Sequence, residues 1–304
     1  MTDRLAPTVL IKAHAKVNLF LAVGGRREDG YHDVTTVIQA LELHDDVAVT
    51  LGGEALTLDC EPDVGVAPEH NLAHRAAQYW FESSDVTAGA HIQLRKRIPA
   101  GAGLGGGSAD AAAVLKALAL LDGIEESAGA RMAGAAARLG ADVPFFLGGG
   151  TQLLMGRGDE LVETLPTPLL DVVLVNPGIP VETGAAYARF DRTLQPAPPS
   201  HEAMVTAIRG GAREAIAAAL YDNMTEPSVA LVPDIGLTLR FLERSAGVLG
   251  FAMAGSGSTV FGVCADPASA ESCAAEARER GWWACATRTV SAGLDVVDPT
   301  MRAR

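Results

Sequence analysis

Pro99-Ala100-Gly101-Ala102-Gly103-Leu104-Gly105-Gly106-Gly107-Ser108-Ala109-Asp110 stands immediately before a helical run at 111–121. Five glycines between 101 and 107 cost conformational entropy that a structural turn, needing one or two, does not require. Small residues in succession before a helix expose several backbone N–H groups in one concavity, and the helix dipole adds partial positive charge there. The stretch reads as a phosphate-binding loop.

Two familiar phosphate loops do not fit. Gly101-x-Gly103-x-x-Gly106 matches the dinucleotide fingerprint in form, but that fold needs a buried parallel strand near the start of a βαβ unit. Here the preceding strand, 91–98, carries Arg95, Lys96 and Arg97 and alternates as a half-exposed strand does. A Walker A loop needs a lysine after its second glycine, and Gly106 is followed by Gly107-Ser108. The cation for the outer phosphates must come from elsewhere in the chain.

Upstream, residues 8–23 read as a strand with a polar centre, Ala15-Lys16-Val17-Asn18, followed by a turn at 24–30. Residues 34–43, 46–51 and 55–58 alternate as further strands, with Gly52-Gly53 as a hairpin turn. Asn71 is placed to cap a helix running to about residue 81. Downstream, a helix at 127–139 ends at Gly140, and Ala141-Asp142-Val143-Pro144 interrupts the chain. Residues 151–155 and 160–165 form a hairpin, and a new apolar strand at 172–175 places a domain boundary near 166, giving domains 1–165 and 166–304. The second half reads as helices at 202–219 and 235–245, strands at 248–253 and up to 265, a helix at 267–280 and a strand at 283–290. That is an α+β pattern.

Of the 304 residues, 24 are Lys or Arg and 37 Asp or Glu, a formal net charge of −13. No diffuse basic footprint exists for nucleic acid or an anionic membrane. The four cysteines never approach C-x-x-C spacing, which excludes a zinc ribbon or disulfide framework and leaves reduced thiols. No run of 18 apolar residues occurs, so a soluble cytoplasmic protein is expected. No coiled coil or long exposed apolar stripe specifies an oligomer. His70 and His74 stand at i, i+4 without the glutamate of a zinc protease, and no metal ligand is assigned. Lys16 is a candidate for the missing phosphate charge, against the alternative of a solvated lysine. Asp142 is a candidate proton acceptor, or equally a turn-forming residue after Gly140.

Three short motifs in this order resemble those of the galactokinase, homoserine kinase, mevalonate kinase and phosphomevalonate kinase (GHMP) superfamily. They are Ala15-Lys16-Val17-Asn18-Leu19, the loop from Pro99 to Ala109, and Gly255-Ser256-Gly257-Ser258-Thr259. The resemblance implies an α+β two-domain GHMP-kinase fold: an N-terminal domain of the ribosomal-protein-S5 domain 2 type, a C-terminal ferredoxin-like α/β sandwich, and an active site in the interdomain cleft. Arg27-Glu28-Asp29-Gly30-Tyr31-His32 and Leu139-Gly140-Ala141-Asp142-Val143-Pro144 are similar to the branch acting on 4-diphosphocytidyl-2-C-methyl-D-erythritol, in isoprenoid precursor synthesis. Gly106-Gly107 stands where the superfamily has a serine pair, in agreement with that branch.

The resemblance further implies ATP as phosphoryl donor with accompanying Mg²⁺, residues 99–109 around the ATP phosphates, and substrate held by the C-terminal domain. It makes Asp142 the general base on the 2-hydroxyl, with Lys16 holding that hydroxyl or the γ-phosphate. Asn18 and Thr183 would contact substrate, Tyr31 and Tyr187 would sandwich the cytosine, and His32 would read its edge. Alternatives are a homoserine or mevalonate type of kinase, which Tyr31-His32 and Tyr187 argue against, and a non-catalytic ligand sensor, which Lys16 and Asp142 argue against.

Overall fold

The computed structural model describes residues 6–83, 89–125, 127–193 and 196–297. Its first half contains β1 (Thr8–Arg26), β2 (His32–Leu51), β3 (Leu56–Glu61), α1 (Leu72–Glu82), β4 (Ala90–Arg95), α2 (Gly106–Leu121), α3 (Gly129–Leu139), α4 (Val143–Gly148), β5 (Thr151–Met155) and β6 (Glu160–Leu165). The second half contains β7 (Asp171–Asn176), α5 (Thr183–Phe190), α6 (Glu202–Gly210), α7 (Arg213–Ala218), β8 (Tyr221–Asp222), α8 (Thr225–Leu231), α9 (Pro233–Arg244), β9 (Val248–Met253), β10 (Val260–Cys264), α10 (Pro267–Glu279), β11 (Trp283–Arg288) and β12 (Leu294–Val297).

β1 and β2 form one long antiparallel ribbon, from the pair Thr8↔Thr50 to Arg26↔His32. The segments expected as separate strands at 34–43 and 46–51 are a single strand with an irregularity. Glu42 and Leu43 are extra residues between the pairs Ala15↔Leu41 and His14↔His44. Such a bulge bends the ribbon, and at the bend the Leu43 N–H donates to Thr287 Oγ1 of β11 at 3.0 Å. The outer half of β2 pairs with β4, and its inner half pairs with β5.

The Gly52-Gly53 hairpin is not formed, because β4 separates β3 from β2. β3 runs parallel to β4, from Leu56↔Ala90 to Glu61↔Arg95. Parallel neighbours need a crossover, and α1 supplies it. Ala73, Ala76, Ala77 and Trp80 form its buried stripe at helical spacing. Asn71 caps α1 as expected, its side chain accepting from the Ala73 N–H at 3.0 Å. α2 is buried along most of its length, its alanines letting it lie close to β1 and β2.

The second sheet has the order β11-β7-β10-β9, antiparallel throughout. Within it the succession strand, helices, two strands, helix, strand is the ferredoxin-like sandwich that the motifs imply. The helix expected over 202–219 divides at Gly211, whose φ of 73° closes α6. After β6 the chain returns to the first sheet twice: β8 pairs parallel with β1 at Phe20↔Tyr221 and Leu21↔Asp222, and β12 pairs with the start of β1. One apolar cluster joins the halves, with Val17, Leu19 and Leu104 packed in the same core as Leu174, Ala254 and Phe261. The two sheets therefore hold a fixed relation across the cleft. No helix among the described residues is long and apolar enough to cross a membrane.

The Asn71 cap gives a stability prediction. Asn71→Ala should lose about 1 kcal/mol in urea denaturation, and Asn71→Asp should retain most of it. An unchanged midpoint in the alanine variant would remove the cap's role.

Candidate active site

The glycine stretch splits into two parts. Gly101, Gly103 and Gly105 take φ of 64°, 80° and 73° in the loop, whereas Gly106 and Gly107 already belong to the first turn of α2, five residues earlier than the alanine run suggests. A Cβ on Gly103 would lie 2.1 Å from the Ala254 carbonyl oxygen, and one on Gly105 would lie 2.8 Å from Phe146 Cζ and 2.9 Å from Lys16 Cγ. Both positions combine a left-handed backbone with a close approach, which no other residue satisfies. The N–H groups of Gly106, Gly107 and Ser108 precede the first bond of the helical end, from the Ala109 N–H to the Gly105 C=O at 2.9 Å. As orphan donors of a helix N-terminus they suit a phosphate.

Two cavities flank the loop. The larger, about 480 Å³, is lined by Val64, Val66, His70, Asn71, Leu72, Lys96 and the loop itself. The smaller, about 390 Å³, is lined by Lys16, Asn18, Thr36, Asp142, Arg157, Tyr187 and residues 255–257, among others. Gly101, Gly103, Gly105, Ser108 and Thr183 line both. Pro99, Ala100, Ala102, Gly106 and Gly107 face the larger cavity alone, while the side chains of Leu104 and Ala109 are buried in core clusters.

Lys16 and Asn18 alternate onto the same face of β1, and both are buried. Lys16 Nζ donates to Asn18 Oδ1 at 2.8 Å and lies 3.5 Å from Asp142 Oδ2. Asn18 Nδ2 donates to Thr36 Oγ1 at 2.8 Å, which donates to the Phe20 carbonyl at 2.8 Å. This chain of bonds fixes the lysine head, so the solvated alternative does not describe it. Asp142 occupies the N-cap position of α4 but makes no capping bond. Its backbone lies in a turn closed by the Val143 N–H on the Gly140 C=O at 3.3 Å, while its carboxylate turns to Lys16 and opens onto the cleft. Gly140 before it is extended, with φ of 163°.

The third motif backs this pair. A Cβ on Gly255 would lie 3.3 Å from Lys16 Nζ and 3.4 Å from Asn18 Oδ1. Thr183 Oγ1 lies 3.1 Å from Ser256 Oγ, which places α5 against the same loop.

At the far end of the cleft, Tyr187 packs on the His32 ring with centroids 5.0 Å apart, and His32 Nε2 lies 2.6 Å from Asp191 Oδ1. Burial, with the charges of Asp142 and Asp222, pushes the Tyr187 hydroxyl up to about 12. Tyr31 is 56% exposed and lies outside the lining of the smaller cavity, as does His32. Tyr31 reaches the cleft through Arg157, whose guanidinium carbon stands 5.0 Å from its ring centre.

Several residues escaped the sequence reading. Asp191, Thr36 and Arg157 lie in unremarkable sequence; Thr36 and Asp191 find their partners on distant elements, and Arg157 pairs with Asp159 of its own turn. Asp222 is half-buried; one carboxylate oxygen accepts from the Met224 N–H at 2.7 Å, and the other, buried, has no partner among the described residues. Burial raises its carboxyl well above the usual range, opposed by the Met224 bond and the Lys16 charge. Under the larger cavity, Lys96 Nζ stands 2.5 Å from both Asp45 Oδ2 and Asp110 Oδ2. Asp45 Oδ1 also accepts from the N–H groups of Arg97 and Ile98, at 2.5 and 2.9 Å. This cluster anchors the chain entering the glycine loop. Burial pushes the Asp110 carboxyl up to about 7, against the Lys96 charge and reinforced by that of Asp45.

Asp110 carries a pH prediction. Its folded value of about 7 exceeds the unfolded value of 3.8, so the native state holds the proton more tightly. Its ionisation costs nothing below about pH 4, and the cost is fully present above about pH 7. The stability of the wild type relative to Asp110→Asn should therefore fall as pH rises from 5 to 8, measured by chemical denaturation. A difference independent of pH would contradict this.

The sequence profile of the GHMP kinases N terminal domain matches residues 71–150, and that of the GHMP kinases C terminal domain matches residues 204–281. A 4-diphosphocytidyl-2-C-methyl-D-erythritol kinase of Desulfitobacterium hafniense (strain Y51) is 40% identical over 281 residues, covering 92% of this chain and 96% of the relative. One from Pelotomaculum thermopropionicum is 43% identical over 285 residues, covering 93% and 98%. A crystal structure of 4-(cytidine 5'-diphospho)-2C-methyl-D-erythritol kinase superposes with a TM-score of 0.77 at 34% identity, over 92% of this chain and 98% of that one. Homoserine kinase from Cytophaga hutchinsonii shares the fold, with a TM-score of 0.73 at 18% identity over 95% and 97%.

Proposed function

This chain belongs to the GHMP kinase family and is an ATP-dependent kinase, and we propose that it transfers the γ-phosphoryl group of ATP to the 2-hydroxyl of 4-diphosphocytidyl-2-C-methyl-D-erythritol. The products are the 2-phosphate and ADP. Relatives bearing that substrate's name over nearly the whole chain support the reading. The observation that carries it is the Lys16–Asp142 contact of 3.5 Å beside a glycine loop that two cavities share. Four unpaired cysteines suit a cytoplasmic setting.

In this reading the larger cavity receives ATP, with its phosphates on the open N–H groups at the start of α2. Mg²⁺ fits as the counter-ion of those phosphates. Among the described residues no group of three or more His, Cys, Asp or Glu side chains could hold a metal, so phosphate oxygens would be its main ligands, with the Ser108 hydroxyl a protein oxygen facing both cavities. When bound, the ion neutralises charge on the transferring group.

The acceptor lies in the smaller cavity, its 2-hydroxyl between Asp142 and the loop. As that oxygen forms its bond to the γ-phosphorus, Asp142 takes the hydroxyl proton, and the bond from phosphorus to the bridging oxygen breaks with its electron pair leaving on ADP. Lys16 holds the carboxylate in position and offers its remaining N–H donors to the γ-phosphoryl oxygens. Asn18, fixed by Thr36, keeps Lys16 directed there. Tyr187, His32 and Tyr31 form the base end of the site, with Asp191 setting the His32 ring, and Thr183 contacts the acceptor from α5.

ADP release should occur with the cytidylyl acceptor and not with homoserine or mevalonate. Asp142→Asn should lower kcat by about 100-fold to 10,000-fold while leaving both KM values within a few-fold, because proton transfer matters in the transition state. Wild-type kcat in that variant would remove Asp142 as the base. Tight ATP binding without turnover of any acceptor would favour the sensor.

A further inference from the structure

The turn between β5 and β6, Gly156-Arg157-Gly158-Asp159, belongs to none of the superfamily motifs, yet Arg157 and Gly158 line the smaller cavity. The turn is fixed at both ends. The Val34 N–H donates to the Gly156 C=O at 2.7 Å, and the Gly158 N–H donates to the Met155 C=O at 3.0 Å. Gly156 and Gly158 take φ of 70° and 88°, so the glycines on either side of Arg157 let the chain reverse tightly.

The Arg157 head is fixed as well. Its Nη2 donates to Asp159 Oδ2 at 2.6 Å, and its backbone N–H donates to Asp159 Oδ1 at 3.2 Å. Its guanidinium also faces the Tyr31 ring at 5.0 Å. Guanidinium presents five donors in one plane, and the bond to Asp159 occupies one edge of the fork. The rest remains for a ligand: the side chain is 38% exposed, and the contacts with Asp159 and Tyr31 orient its fork.

The charges lining this cavity are Lys16, Asp142 and Arg157. Lys16 is committed to Asp142 and Asn18 at the reacting end. An acceptor whose polyol lies at that end and whose cytosine lies among Tyr31, His32 and Tyr187 spans the cavity with its diphosphate. In a chain of net charge −13, that dianionic segment needs a local cation. Among the described residues, Arg157 is the remaining cationic group on the lining.

We infer that Arg157 binds the diphosphate of the acceptor, held in place by Asp159 and the Tyr31 ring, and so selects a cytidine diphosphate derivative over a bare nucleoside or a small alcohol. This rests on the acceptor proposed above. A planar guanidinium can take two phosphate oxygens at once, and Asp159, by quenching the long-range field, confines the attraction to groups that reach the fork directly.

The test compares CDP with cytidine as competitive inhibitors against the acceptor, in the wild type, Arg157→Gln and Arg157→Lys. Wild type should bind CDP at least about tenfold more tightly than cytidine, in line with a charged hydrogen bond. In Arg157→Gln that ratio should fall to within about twofold and KM for the acceptor should rise about tenfold, with kcat and KM for ATP nearly unchanged. Arg157→Lys, which keeps the charge and loses the fork, should recover part of the ratio; a purely structural role for the turn would not track charge. A Gln variant that keeps the wild-type ratio would overturn the inference. Were Gln to disturb KM for ATP through misfolding, the Lys variant decides: its ratio must lie below wild type and above one, and either extreme overturns the assignment. A wild type that does not phosphorylate the acceptor at all would instead overturn the proposed function.

Discussion

Two backbone hydrogen bonds hold the functional segments together. The Lys16 N–H donates to the Leu104 C=O at 3.0 Å, and the Thr259 N–H donates to the Ala102 C=O at 3.2 Å. Through them β1, the glycine loop and the turn after β9 become one structure, although up to about 240 residues separate them in the chain. The approach is possible because Gly103 has no side chain to meet the Ala254 carbonyl. Both cavities, the seat of Lys16 and the entry to α2 follow from that joint. The apolar cluster shared by the two halves keeps it closed.

Burial of charge is the second constraint. Lys16 is 4% exposed, and a buried ammonium persists only where acceptors satisfy it. Asn18, itself held by Thr36, and Asp142 do this on one side of the loop. Lys96 with Asp45 and Asp110 does it on the other. The loop is thus suspended between two lysines, Lys16 held by Asn18 of its own strand and by Asp142, Lys96 held by Asp45 and Asp110 from other elements. Such networks specify position at some expense of stability, a common feature of sites built for electrostatic stabilisation of a transferring group.

Much of this architecture was legible in the sequence. The alternation along 8–23, the glycine stretch, the Asn71 cap and the 151–165 hairpin each follow from local rules, and the second sheet follows from the succession of its elements. What failed depends on contacts that local patterning does not encode. Gly52-Gly53 resembles a hairpin turn, but β4, arriving some forty residues later, takes the place beside β2. The apparent break at residues 44–45 is continuous strand, and the irregularity falls at Glu42 and Leu43, where the Leu43 N–H bonds to β11. At the site, Lys16, Asn18, Asp142 and the loop stood out because their motifs are dense. Thr36 and Asp191 did not, because each acts through a partner on another strand, and Arg157 did not, because its place on the cavity depends on how the turn after β5 meets the cleft; a lone threonine, aspartate or arginine carries no spacing signal.

The central claim is that the Lys16–Asp142 pair receives the acceptor hydroxyl on the side facing the glycine loop. A crystal structure of the ternary complex with the acceptor and a non-hydrolysable ATP analogue tests it most directly. The account requires the 2-hydroxyl oxygen at about 3 Å from a carboxylate oxygen of Asp142, in line with the γ-phosphorus, with the analogue's phosphates on the N–H groups of Gly106, Gly107 and Ser108. A hydroxyl held beyond reach of Asp142, or phosphates seated away from the start of α2, would contradict it.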